Sequence, residues 1–272
     1  MKNRRQSTAF LLISACILLI VIVLAGILLT GRAGITDFSR KNLPPCSDFL
    51  FGTDWMGRDM LARTLAGLSL SLRVGALTAA VSGVLALTLG IASAICGGWV
   101  DAAVSWVVDL VMGIPHILLI ILISLACGRG FWGVTAGVAL THWTSLARLV
   151  RGEVLQLKEA PWLRMSRRLG VSRLKMLRSH LFPHLLPQFL TGLILQFPHA
   201  ILHEAGVTFL GFGLSPEQPA IGVILEESMA YLTTGRWWLA LFPGLSLAGV
   251  VMLFALVGER LRLLLSPASA QE

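Results

Sequence analysis

The chain has 272 residues, of which 56% are hydrophobic and only 13% charged, with a mean hydropathy of +0.80. Soluble domains carry about a quarter charged residues, so this composition argues against an ordinary globular protein and points to lipid. The net charge of +8 is unevenly placed, and four cysteines without a CxxC pair offer neither a disulfide framework nor a zinc-ligand spacing.

Lys2, Arg4 and Arg5 precede an uncharged run at 10–29. It is longer than the roughly 7–15 residues of a signal-peptide core and long enough to cross about 30 Å of hydrocarbon, so it reads as a retained anchor. Residues 31–73 read as an extracytoplasmic connection, with Pro44-Pro45 marking an extended course. Apolar runs recur at 74–100, 102–127 (interrupted by Asp109), 130–147, 181–202 and 237–258. Only helices and closed barrels satisfy their own backbone in lipid, and these runs lack the alternation of barrel strands. The expectation is an all-α membrane protein with six transmembrane helices. It divides into 1–30, a connection at 31–73 and a five-helix core at 74–272 that holds a loop at 148–180.

Six crossings put both termini, residues 97–101 and residues 148–180 on one side. That side collects three basic residues at the N-terminus, nine between positions 148 and 178, and Arg260 and Arg262, fourteen of the 22 Lys and Arg. The termini are therefore expected in the cytoplasm. The fifth run carries Pro183, Pro187 and Pro198, which reads either as a kinked packing helix or as a kinked helix lining a polar path.

Within the basic loop, residues 159–180 hold six Lys or Arg and one acid, Glu159. Pro161 suits a first helical turn, Trp162, Met165 and Leu169 form one apolar stripe, Gly170 suits a left-handed end and Ser172 a cap. This amphipathic segment can lie on anionic lipid or dock into a cytoplasmic partner through its Trp and Arg. Nothing else in the chain supports nucleic-acid binding.

Ionisable groups inside spans are costly and mark candidate path residues. These are Asp109, about 12 Å into the third run at 1.5 Å per residue, and His142, His199, His203 and Glu204. Each also reads as a hydrogen-bonded packing residue. His203-Glu204 opens like HExxH, but Val207 stands where the second zinc ligand belongs, and there is no G-x-S-x-G elbow. An intramembrane hydrolase is thus a poor alternative. The absence of GxxxxGK[ST] removes ATP chemistry from the chain.

The helix–Gly–helix segment resembles the coupling loop of ABC importer permeases, closest to the C-type subunit of the dipeptide/oligopeptide/nickel family. That subfamily reads E-[YF]-V-x-A-A-R-x-L-G. Here Trp162, Arg167, Leu169 and Gly170 align, while Pro161, Met165 and Ser166 depart from it. "FGTDWMGRDMLARTLAGLSLSLRVG" (51–75) resembles LGTDxxGRDxxSRxxxGxRxSLxVG. It keeps Gly52, Thr53, Asp54, Gly57, Arg58, Asp59 and Arg63 among others, with Ser69 in place of Arg. "DLVMGIP" (109–115) is similar to the family's R-x-x-D-x5-P with Trp106 in place of the Arg, and "HEAGVTFLGFG" (203–213) to AExxxSFLGxG. "LFPG" (241–244) is kept, and "GERLRLLLSP" (258–267) resembles GDxLRDxxDP.

The resemblance implies a type I importer permease in a bacterial cytoplasmic membrane, one of two homologous permease halves. Two cytoplasmic ATPase subunits holding ATP and Mg lie beneath, and an extracytoplasmic binding protein delivers solute; this chain itself binds no cofactor. Trp162, Leu163, Met165, Ser166, Arg167, Arg168, Leu169 and Gly170 would couple to an ATPase. "THW" (141–143) and "LHEAG" (202–206) resemble the nickel-type members, and imidazole suits Ni, Cu, Zn or Co. That makes nickel or a metal chelate the expected solute, passed transiently by His142 and His203 without a stable metal site. A dipeptide or oligopeptide is the alternative.

Overall fold

The computed structural model describes residues 4–265, which form ten α-helices and no β-strand. The first helix, α1 (Arg4–Ala33), contains the expected anchor. Its Ala15 and Leu19 bury against Met60, Leu68 and Val250, while Phe10 and Leu28 stay exposed where lipid would meet them. A Cβ added at Gly26 would lie 2.2 Å from the carbonyl oxygen of Leu65, so only a small residue lets α1 approach its neighbour this closely.

That neighbour, α2 (Met60–Cys96), is the axis of the fold and packs against helices on every side. It begins well before the expected run at 74. Arg63, Ser69 and Ser71 lower the hydropathy of 60–73, yet all three are buried in protein and never meet lipid. Asp59 starts the helix by accepting hydrogen bonds from the backbone N–H groups of Leu61 and Ala62. The first half of α2 joins a core with Ile201, Ile221 and Val250, and its second half a core with Val108, Val150 and Leu163.

The run at 102–127 is a broken element. α3 (Gly98–Gly113) and α4 (His116–Ala126) meet at 100°. Pro115 disfavours a helical residue before it, and Ile114 is accordingly extended at φ −92°, ψ 139°. Neither piece alone reaches across about 30 Å of hydrocarbon at 1.5 Å per residue.

The all-α membrane fold stands as expected, while length and composition alone do not reproduce the count of six spans. Among the described residues, four helices are long and apolar enough to cross a membrane, or five if the bent pair is one span. The remaining expected run, 130–147, lies in α5 (Phe131–Glu159), whose polar Thr135, Thr141, His142 and Thr144 are buried among the other helices. A helix shielded by protein need not be apolar all round, so hydropathy undercounts it. α5 also continues past 147, so the basic loop starts as helix.

Short helices α6 (Pro161–Arg168) and α7 (Arg173–Met176) lead through a π-helical turn, Leu177–Leu181, into α8 (Phe182–Phe209). Between the last two apolar runs the chain folds into α9 (Ile221–Leu232), and α10 (Trp238–Leu265) completes the bundle.

Candidate functional site

The GTDxxGRD stretch ties one end of the bundle together. Gly52 and Gly57 have left-handed φ of +72° and +75°, and a Cβ at Gly57 would sit 1.8 Å from the carbonyl oxygen of Asp37. Thr53 Oγ1 accepts from the Leu43 N–H at 2.8 Å and donates to the Arg40 carbonyl. Buried Asp54 accepts from the N–H groups of Met56 and Arg58, from Arg58 Nε at 2.6 Å and from Arg63 Nη1 at 2.6 Å. Both guanidiniums also reach Glu227 of α9, at 3.1 and 2.9 Å. Asp59, besides capping α2, pairs with Arg32 at 3.0 Å. Two cations and two carboxylates neutralise one another here, which is what allows them to be buried.

A second cluster lies in a cavity of about 600 Å³ between the α3–α4 bend, α5 and α8. Gln196, His199 and His203 line it from α8 at spacings of three and four, one helical face. His142 lines it from α5 and His116 from the first position of α4. Ring nitrogens of His116, His142 and His203 lie within 4.8 Å of one another, with His116 Nε2 3.3 Å from His142 Nδ1. The rings pack at centroid distances of 4.6 to 5.3 Å. His142 Nδ1 is 3.0 Å from the Val138 carbonyl oxygen. A carbonyl only accepts, so Nδ1 carries the proton and Nε2 keeps its lone pair.

The other candidate path residues fall elsewhere. Glu204 faces away from the cavity, fully buried, and accepts from the Thr208 hydroxyl at 3.1 Å. Asp109 lines a separate cavity of about 330 Å³ and pairs with Arg148 of α5, which supplies a cation where Trp106 offers none. Nearby, Arg151 binds Asp101 with two hydrogen bonds at 2.6 and 2.7 Å. Sequence reasoning missed His116, Glu227 and Arg148. The Pro115-His116 pair, a histidine just after a helix break, is the signal that could have found the first.

In the basic loop, Met165 and Leu169 are exposed, while Leu163 turns into the chain's own core beside Val154 and Met176. Trp162 stacks on His184 of α8, centroids 4.9 Å apart. Glu159 pairs with Arg164, and the Ser166 hydroxyl donates to the Trp162 carbonyl at 3.0 Å. Gly170 has φ +77°, and the Val171 N–H donates to the Ser166 carbonyl at 3.2 Å, which closes α6 in a Schellman motif. Arg168 belongs to the last turn of α6. The side chain of Arg167 lies outside the described ones, as do Ser266 and Pro267.

Residues 86–271 match the family described as binding-protein-dependent transport system inner membrane component. The chain belongs to that family. A putative peptide transport system permease of Brucella suis is 34% identical over 267 residues, covering 97% of this chain and 88% of its own. The dipeptide permease DppC of Bacillus subtilis is 29% identical, covering 85% and 72%. The oligopeptide permease OppC of Mycobacterium tuberculosis is 32% identical, covering 86% and 80%. The fold is similar to the MetNI methionine ABC transporter in an inward-facing form, with TM-score 0.62 at 19% identity over 76% of this chain and 98% of that one. An amino acid ABC transporter gives 0.61 at 14% identity over 74% and 94%.

This permease is thus a multi-pass inner-membrane subunit of an ABC importer of the peptide/nickel group. It works with a second permease subunit, and ATP hydrolysis resides in partner ATPases.

Proposed function

We propose that this permease builds half of the translocation path of a dipeptide or oligopeptide importer, with the histidine-lined cavity as its share of that path. The observation that carries the reading is the cavity itself. It opens where α3 and α4 break, and it gathers hydroxyl, amide and imidazole groups from three elements at membrane depth. Among them the buried Gln196 Oε1 has no partner in the protein and is free to accept from water or solute. Relatives matched over most of their length are named as peptide permeases, and the chemistry of the lining suits a polar backbone.

In this reading the termini are cytoplasmic and an extracytoplasmic binding protein delivers solute at the face holding the Asp54–Arg63–Glu227 knot. Residues 161–170 are the lever on which an ATPase subunit acts, and closure of the ATPases rocks the helices as rigid bodies. Basic residues between positions 148 and 178 also meet anionic lipid at the cytoplasmic surface.

A second reading, nickel or a metal chelate as solute, is favoured by the proximity of His116, His142 and His203. Proteoliposomes holding the complete transporter, supplied with its binding protein and ATP, distinguish the two. Uptake of a radiolabelled dipeptide, undiminished when all metal is chelated, is the expected result. Metal-dependent uptake alone would replace the peptide reading with the chelate one.

A further inference from the structure

We propose that the cavity lined by Glu153, His184, Gln188 and Arg262 binds a small zwitterion with one free ammonium and one free carboxylate, a free dipeptide, as a second station for solute. The proposal rests on the peptide reading of the path.

This cavity of about 690 Å³ lies between α5, α8 and α10, within the roughly 300–1,000 Å³ of small-ligand sites. Glu153 lies three turns beyond His142 on the same face of α5, about 16 Å along the axis at 1.5 Å per residue. The two cavities are thus separate places along the same two helices, α5 and α8. With the termini in the cytoplasm, this one is nearer the ATPases.

Charge selects the ligand. Among the described residues, neither Glu153 nor Arg262 takes part in an ion pair. Arg148, Arg151 and Glu159 of the same helix α5, by contrast, close on Asp109, Asp101 and Arg164. An anion and a cation that face one cavity without pairing each call for a counter-charge. A simple anion or a simple cation would answer one of them and leave the other; a zwitterion answers both. The guanidinium presents a fork that matches a carboxylate, and the Glu153 carboxylate accepts from an ammonium.

Backbone and amide groups complete the lining. Pro187 has no N–H to donate to the Pro183 carbonyl, and both prolines line the cavity. The helix defect falls where the charged cavity is, which a packing kink alone does not require. An ammonium has three donors, so this carbonyl and the Gln188 amide oxygen can serve it besides Glu153. His184 Nδ1 donates to the His180 carbonyl at 2.8 Å, and the same ring stacks on Trp162 of α6. An occupant would therefore lie against the ring that supports the short basic helix. A phosphatidylethanolamine headgroup carries the same two charges, with phosphate in place of carboxylate. Gln188 favours the peptide, because a side-chain amide both donates to and accepts from a peptide group, which the headgroup lacks.

The test uses the complete transporter without its binding protein, in nanodiscs of phosphatidylglycerol alone, which carries no ammonium. Dialanine is titrated by calorimetry. The expected result is saturable binding that weakens about tenfold in Glu153→Gln and in Arg262→Gln. N-acetyl-dialanine should bind the parent about tenfold more weakly than dialanine, and lose nothing further in Glu153→Gln. Dialanine amide should show the same relation to Arg262→Gln. Co-purification of the ATPase subunits reports that each variant is assembled, and the capped ligands probe the site in the parent protein whether or not a variant assembles. Absence of saturable binding, or capped ligands that bind as tightly as dialanine, overturns the site. Binding of glycerophosphoethanolamine through both residues, with none of dialanine, overturns the peptide as occupant in favour of a lipid headgroup. Dialanine uptake by proteoliposomes tests the path separately. Uptake without charge-dependent binding removes this site and leaves the peptide path, whereas binding without uptake leaves the site and removes the path.

Discussion

Arg63 Nη1 lies 2.9 Å from Glu227 Oε2 and 2.6 Å from Asp54 Oδ2, so a guanidinium on α2 joins the 52–59 turn to α9. The three residues span 174 positions of sequence numbering from 54 to 227 inclusive, yet Arg63 and Asp54 are almost completely buried. The GTDxxGRD motif is therefore internal architecture: its Arg58 and Asp54 face each other, and its Asp59 starts the axial helix.

Removing one partner of a buried pair strands the other charge, at about 3–5 kcal/mol. Arg63→Met should lower the stability of the purified complex by that amount, measured as detergent-resistant assembly against temperature. Arg63→Met combined with Asp54→Asn should recover part of the loss, because the second change removes the stranded carboxylate. Equal stability of Arg63→Met and the parent would rule out the role given to the pair.

Gly57 and Gly235 both have left-handed φ, +75° and +80°, but their surroundings differ. A Cβ at Gly57 meets the Asp37 carbonyl, whereas one at Gly235 meets nothing within 4 Å. Gly235→Ala should cost only the conformational term, about 1–2 kcal/mol. Gly57→Ala should cost that and displace the 37–57 turn, so folded yield should collapse. Similar yields for the two variants would contradict the crowding.

Hydropathy and motif spacing made the anchor, the central and last spans and the GTDxxGRD stretch legible, because lipid and left-handed turns impose their demands locally. Three features were not legible. Arg63, Ser69 and Ser71 hid the start of α2, since whether a polar residue meets lipid or protein depends on tertiary packing. Thr135, Thr141 and His142 lowered the apparent apolarity of α5 for the same reason. The imidazole cluster draws on positions 116, 142 and 203, whose separations carry no helical or strand period, so only the fold brings them together. His116 sits in an apolar run that hides its proline break.

Trp162 stacks on His184, and so links the short helix α6 to the start of α8. If α6 is the lever under an ATPase, Trp162→Ala should reduce solute uptake and solute-stimulated ATPase activity about tenfold, the loss of roughly 1.4 kcal/mol at a central aromatic contact. Gly170→Pro should act at least as strongly, since proline cannot adopt the +77° φ of Gly170. Membrane insertion, followed by protease protection, should be unchanged in both. Parent-like coupling in the two variants would remove this segment from the ATPase interface.

Cys46 and Cys96 are both exposed, and the one crossing between them, α2, puts them on opposite faces. Cys46 lies in the turn that carries Pro45, before the motif, and Cys96 ends α2 just ahead of Gly97. With the termini in the cytoplasm, a membrane-impermeant maleimide applied to intact spheroplasts should label a variant retaining only Cys46. A variant retaining only Cys96 should become reactive after permeabilisation and not before. The reverse pattern would invert the orientation, and would place the basic α6 segment outside, where no ATPase could reach it.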